Sequence, residues 1–84
     1  MPSLIERCGA AKTRYAKAET YAQEAAVNGD PDRVRSLAAK KEQAKQSYLE
    51  ARAKVQQAID AYRSEGLNEA ATAVYRKARG PCGL

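Results

Sequence analysis

Two cysteines near opposite ends of the chain, Cys8 and Cys82, are the residues best equipped for covalent chemistry, yet the sequence contains no histidine to activate either. A thiol becomes a nucleophile when its pKa is lowered, and neither cysteine has a histidine or a second nearby cysteine to activate it. With no CxxC or HxxxH pair, the spacing also lacks the ligand pattern of a zinc site. Missing histidine removes the side chain that changes charge near neutrality. No glycine-rich phosphate loop is present, and Asp30 and Asp32 flank Pro31 in the manner of a helix start rather than a pair of catalytic carboxylates. No catalytic, metal-binding or cofactor-binding residue is assigned, no cofactor is expected, and an enzyme is not expected.

For the cysteines the expectation is structural. Cys8 reads as a small apolar residue on a helical seam, and Cys82 as an exposed thiol in a C-terminal tail. Their positions project to the same level of the fold, so a disulfide is the alternative; against it stands the usual reduction of thiols inside cells.

The cations form the next set. Fifteen Lys and Arg against ten Asp and Glu leave a formal charge of +5. Arg7 and Arg14 share a heptad position with Tyr21, while Lys41, Lys45, Arg52 and Arg63 fall near one face of a second helix. Arg76, Lys77 and Arg79 gather at the end of a third. Such rows can follow phosphates, with tyrosines stacking on bases. They also suit a solvated helix surface with pairs such as Glu50 and Lys54, and cations favour a helix C-terminus through its dipole. The mixed charge distribution and the absence of a nucleic-acid-binding motif make anion contact the secondary expectation.

The apolar residues divide into core and surface. Tyr15, Tyr48 and Tyr62 take seam positions, whereas Tyr21 and Tyr75 lie off it and are candidates for contact with another protein. A second apolar set on helix two, Leu49, Ala53 and Ile59, points partly away from the seam. It either wraps around a third helix or forms a dimer face.

Positioning these residues falls to three helices. Leu4, Cys8, Ala11, Tyr15, Ala18, Ala22 and Ala25 recur at steps of four and three. So do Val34, Leu37, Lys41, Ala44, Tyr48, Ala51, Val55, Ala58 and Tyr62. This is the spacing of helices packed lengthwise with knobs at two positions of each heptad. Ser3 and Glu6 fit a capping box over helix one, about residues 3–27. Asn28-Gly29-Asp30-Pro31 supplies a left-handed stop, an N-cap and a first helical residue for helix two, about 31–65. Gly66 and Leu67 read as a Schellman stop with Leu67 folding back on Tyr62. Asn68 is then placed to cap helix three, about 68–79, before Gly80-Pro81 and a tail.

In an antiparallel hairpin about Gly29, facing residues carry numbers adding to about 59, because both helices rise equally per residue. Every seam position then meets a seam position, including Tyr15 with Ala44, Ala11 with Tyr48, and Leu4 with Val55. Lys41 interrupts the seam, with its stem along alanines and its ammonium directed to solvent or Glu19. Helix three should cover Ala58 and Tyr62 with Val74 and Ala71.

The fold expected over residues 1–84 is therefore all-α: an antiparallel helical hairpin with an alanine-rich, coiled-coil-like seam and a short third helix, together a three-helix bundle. Eighteen alanines against eleven Leu, Ile and Val, with no Phe or Trp, make a thin core. Stability supplied by self-association is expected on that ground. No apolar run is long enough to span a membrane and the opening residues lack the pattern of an export signal, so the expectation is a cytoplasmic protein. The functional expectation is a non-enzymatic protein-protein interaction module acting through its helical faces, an adaptor, chaperone-like protein, inhibitor or assembly subunit. Its partner would be another protein or a second copy of itself; the alternative is a small basic accessory protein that binds nucleic acid.

Overall fold

The computed structural model describes residues 3–84, and all regular structure among them is helical. Three helices follow in order: α1 (Leu4–Asn28), α2 (Pro31–Ser64) and α3 (Asn68–Arg79). Local chemistry sets their ends. Ser3 Oγ accepts from the Glu6 amide at 3.2 Å while the Glu6 carboxylate accepts from the Ser3 amide at 3.3 Å, so two donors at the start of α1 are satisfied reciprocally. At the other end Gly29 takes φ 76°, and its N–H donates to the Ala25 carbonyl at 3.0 Å. Asp30 then caps α2 by accepting from the amides of Asp32 and Arg33 at 3.1 and 3.4 Å, with Pro31 in the first helical position.

The end of α2 is a Schellman motif. The Gly66 amide (φ 78°) reaches the Arg63 carbonyl at 3.0 Å and the Leu67 amide reaches Tyr62 at 2.8 Å. Asn68, expected to cap α3, does not. Leu67 occupies the cap position with no side-chain hydrogen bond, and its carbonyl accepts from Ala71 at 3.0 Å. The turn is so short that the residue closing one helix also opens the next, which places Asn68 already inside α3.

α1 and α2 pack along their length as an antiparallel hairpin, and α3 folds back on α2. Cys8, Ala11 and Ala25 are the buried residues of α1, as the seam requires. Where Tyr15 was paired with Ala44 and Tyr48 with Ala11, the two rings meet each other, with centroids 6.1 Å apart and planes at 27°. A tyrosine side chain is long enough to bridge the one-turn offset.

The core lies at the end remote from the hairpin turn. Cys8, Val55, Ile59, Ala71, Ala78 and Cys82 are buried there, with Ile5, Tyr48, Ala51, Val74 and Leu84 packed against them. Three expectations are corrected by this cluster. Ile59 is fully buried under α3, so of the two alternatives for its apolar set the wrap around the third helix holds there and the contact surface does not. Tyr62 keeps 38% of its surface and Ala58 is only half-buried, so the apolar row of α3 covers the Ile59 side instead. Leu4 stays exposed while Ile5 packs on the core, in place of the expected Leu4 with Val55.

A strict seven-residue repeat drifts by about 20° per heptad around a straight helix, and α2 is long enough for the drift to accumulate. The buried step from Val55 to Ile59 is accordingly four residues, where the heptad pattern places three.

Candidate interaction site

The C-terminal residues are not a free tail. Gly80 keeps right-handed dihedrals (φ −75°, ψ −60°), so the chain winds on past Arg79. Pro81 has no N–H to place, and the next donor, Cys82, closes the turn on the Ala78 carbonyl at 2.8 Å. This turn carries Cys82 into the core, where it is bonded to Cys8, with Cα atoms 5.3 Å apart and neither residue exposed (0% each). That separation is ordinary for a disulfide. The reading of Cys82 as an exposed thiol is thereby corrected: the sequence pattern of Gly80-Pro81 signals the end of α3, but not the extra turn beyond it. Closing a loop of 74 residues contributes about 4 kcal/mol in the chain-entropy account.

Four further contacts seat the segment. Tyr48 Oη donates to the Cys82 carbonyl at 2.6 Å, and Lys12 Nζ donates to the Gly80 carbonyl at 3.1 Å. Gly9 lets Pro81 approach α1: a Cβ on residue 9 would sit 3.3 Å from the Pro81 Cβ. Gly83, at φ 67°, brings the chain end past Tyr48, whose hydroxyl would lie 3.1 Å from a Cβ there.

Docked in this way, Gly80 and Pro81 form one wall of an open groove of about 690 Å³ on the outer face of α1. Gly9, Thr13, Ala16 and Thr20 make its floor at steps of four, three and four, with Lys12, Lys17 and Tyr21 on the flanks. Thr13 and Thr20 donate their hydroxyls to the carbonyls of Gly9 and Ala16 at 3.0 and 3.1 Å. Both hydroxyl protons are therefore used within the helix, and no carboxylate lines the groove.

Among the residues read as candidates from sequence, Tyr21 alone lines this groove. It is 52% exposed. Tyr75 is exposed on α3, and Leu49 lines a separate shallow depression with Arg52, Ala53, Gln56 and Leu84. The structure does not bring Tyr21, Tyr75 and Leu49 together in one pocket. Groove residues Gly9, Lys12, Thr13, Lys17 and Pro81 escaped the sequence reading; the signal available was the small-residue row at helical spacing opposite the seam.

The cations are also dispersed. Arg7, Arg14, Arg63, Arg76, Lys77 and Arg79 are exposed, whereas Lys41, Lys45 and Arg52 are half-buried along the hairpin. Lys41 with Glu19, and Glu50 with Lys54, are not within ion-pair distance. Among the described residues the ion pair formed is Arg35 with Asp32 at 3.6 Å, and both side chains are exposed, so it adds little. No three His, Cys, Asp or Glu among the described residues come together as a metal site would require, and no described helix is long and apolar enough to cross a membrane.

In comparisons with known proteins the chain matches no protein-family model, no curated protein and no solved structure.

Proposed function

We propose that this chain is a non-enzymatic protein-interaction module that works through its helical faces and associates with itself. The observation that supports this reading is where the large apolar side chains lie. Among the described residues the buried core is four alanines, two cysteines, Val55 and Ile59, while Leu4, Tyr21, Val27, Leu49, Tyr62, Leu67 and Tyr75 remain exposed. Val27 keeps 87% of its surface and Tyr21 keeps 52%. Apolar surface left in water favours association, and tyrosine in particular anchors protein contacts.

The test is sedimentation of the purified chain together with photo-crosslinkers placed at Tyr21 and Leu49, and at exposed Gln57 as a control. Self-association predicts a dimer whose crosslinks run through position 21 or 49 and not 57. A chain that stays monomeric at every concentration, with no crosslink above the control, rules the reading out.

A second reading rests on the cations. Among the described residues Arg35 is the one Lys or Arg in an ion pair and Lys12 is bonded to the Gly80 carbonyl, so the other cations can meet an anionic partner without breaking an ion pair. Nucleic-acid binding predicts a gel shift that weakens steeply with salt, whereas the first reading predicts none. Cytoplasmic action belongs to the leading proposal, and there the disulfide would be in exchange with cellular dithiols, since disulfides in that compartment are usually transient or regulatory.

A further inference from the structure

We infer that residues 80–84 form a redox-released strap, held over the core by the Cys8–Cys82 bond and set free when a dithiol reduces it. The hairpin and the strap are secured by different means. α1 and α2 pack along their whole length, and α3 is joined to α2 by the Schellman turn and by Ala71 and Ala78 in the core. The strap reaches α1 through the disulfide, the Lys12 bond to Gly80 and the contact of Pro81 with Gly9. Once the bond is cut, what holds these five residues is an exposed lysine hydrogen bond, the Tyr48 bond to the Cys82 carbonyl, the Cys82 amide bond to Ala78, and the apolar contacts of Pro81, the Cys82 side chain and the half-buried Leu84. These stabilise less than the chain entropy regained by freeing the segment opposes.

Exchange itself is gated by the fold. Both cysteines are fully buried, so a reductant reaches the intact bond only during transient local openings of the chain around it, and the strap leaves α1 only after the bond is cut. A thiolate of the dithiol then attacks Cys82 Sγ, a sulfur–sulfur bond forms between them, and the Cys8–Cys82 bond breaks with Cys8 leaving as a thiolate that takes a proton. The reductant's second thiol displaces Cys82, which leaves as a thiol. The dithiol ends as a disulfide, having given two electrons and two protons to the cysteine pair. Lifting the strap also removes the Gly80–Pro81 wall of the α1 groove, so any contact made there is redox-dependent. The strap can be tested with no partner present, and its failure would leave the interaction reading standing.

The experiment is native-state hydrogen exchange on the full chain, oxidised and then reduced with dithiothreitol. The Cys82 amide, bonded to Ala78 in the oxidised state, should exchange at least about tenfold faster after reduction, while amides of residues 41–48 stay within about twofold. A double variant, Cys8→Ala with Cys82→Ala, should give the released pattern without reductant. Unchanged protection at Cys82 in the reduced chain overturns the proposal. So does loss of protection throughout the hairpin, which would make the bond a staple for the whole fold, or a disulfide that folded chains never yield to dithiothreitol.

Discussion

At the scale of single residues, Tyr48 connects more of the molecule than its seam position alone demands. Its ring stacks on Tyr15 and its hydroxyl donates to the Cys82 carbonyl at 2.6 Å, so one side chain ties α1, α2 and the C-terminal turn. Removing the hydroxyl by Tyr48→Phe keeps the ring stack and leaves a partly buried carbonyl without its donor. A net loss of about 1 kcal/mol follows, or about 5 °C in Tm for a domain of this size. Thermal unfolding of the oxidised chain checks it; an unchanged midpoint would show that water replaces the hydroxyl at no cost. Tyr48 was legible from sequence as a seam residue. Its bond to residue 82 was not, because nothing in the local pattern shows that the chain keeps turning after Pro81.

At the scale of elements, the helix ends were readable and the lateral placement of α3 was not. Capping is a local affair: Ser3 with Glu6, Gly29-Asp30-Pro31 and Gly66-Leu67 each announce their geometry within a few residues, and each adopts it. Which side of α2 the third helix covers depends on slow rotation of the apolar row over 34 residues, and there Ile59 displaces Tyr62 from the covered face. Gly9 gives this scale its own test. Alanine in a helix interior is favoured over glycine by about 1 kcal/mol, so Gly9→Ala should stabilise α1 by that amount where its methyl has room. In the oxidised chain the methyl meets the Pro81 Cβ at 3.3 Å, and Pro81 cannot give way easily while Cys82 beside it is bonded to Cys8 beside Gly9. The stabilisation should therefore appear in full in the reduced chain and fall to less than half in the oxidised one. Urea denaturation of both redox states decides it, and equal gains would mean that the segment stands off α1 in both.

At the scale of the whole molecule, shape ties the thin core to association. The chain extends 54 × 22 × 16 Å with a radius of gyration of 16.2 Å, against about 12 Å for a compact domain of this length. Its accessible surface is 6007 Å², where a globular protein of the same mass has about 4900 Å². A rod of two long helices buries one seam, and its ends and outer faces keep apolar groups in water. A second copy laid along such a rod would cover them, and the free energy gained would then enter the unfolding equilibrium through mass action. For a dimer that unfolds to two chains, each tenfold rise in concentration adds about 1.4 kcal/mol per dimer, or about 0.7 kcal/mol per chain. With an unfolding entropy of about 2.1 cal/mol/K per residue, that moves Tm upward by about 4 °C per decade of concentration. Calorimetry across two decades separates the cases directly, because a monomer stabilised by its own seam and its Cys8–Cys82 bond unfolds at one temperature however dilute it is. An invariant midpoint would place the stability of this rod wholly within one chain, and its exposed tyrosines would then have to serve a partner of a different kind.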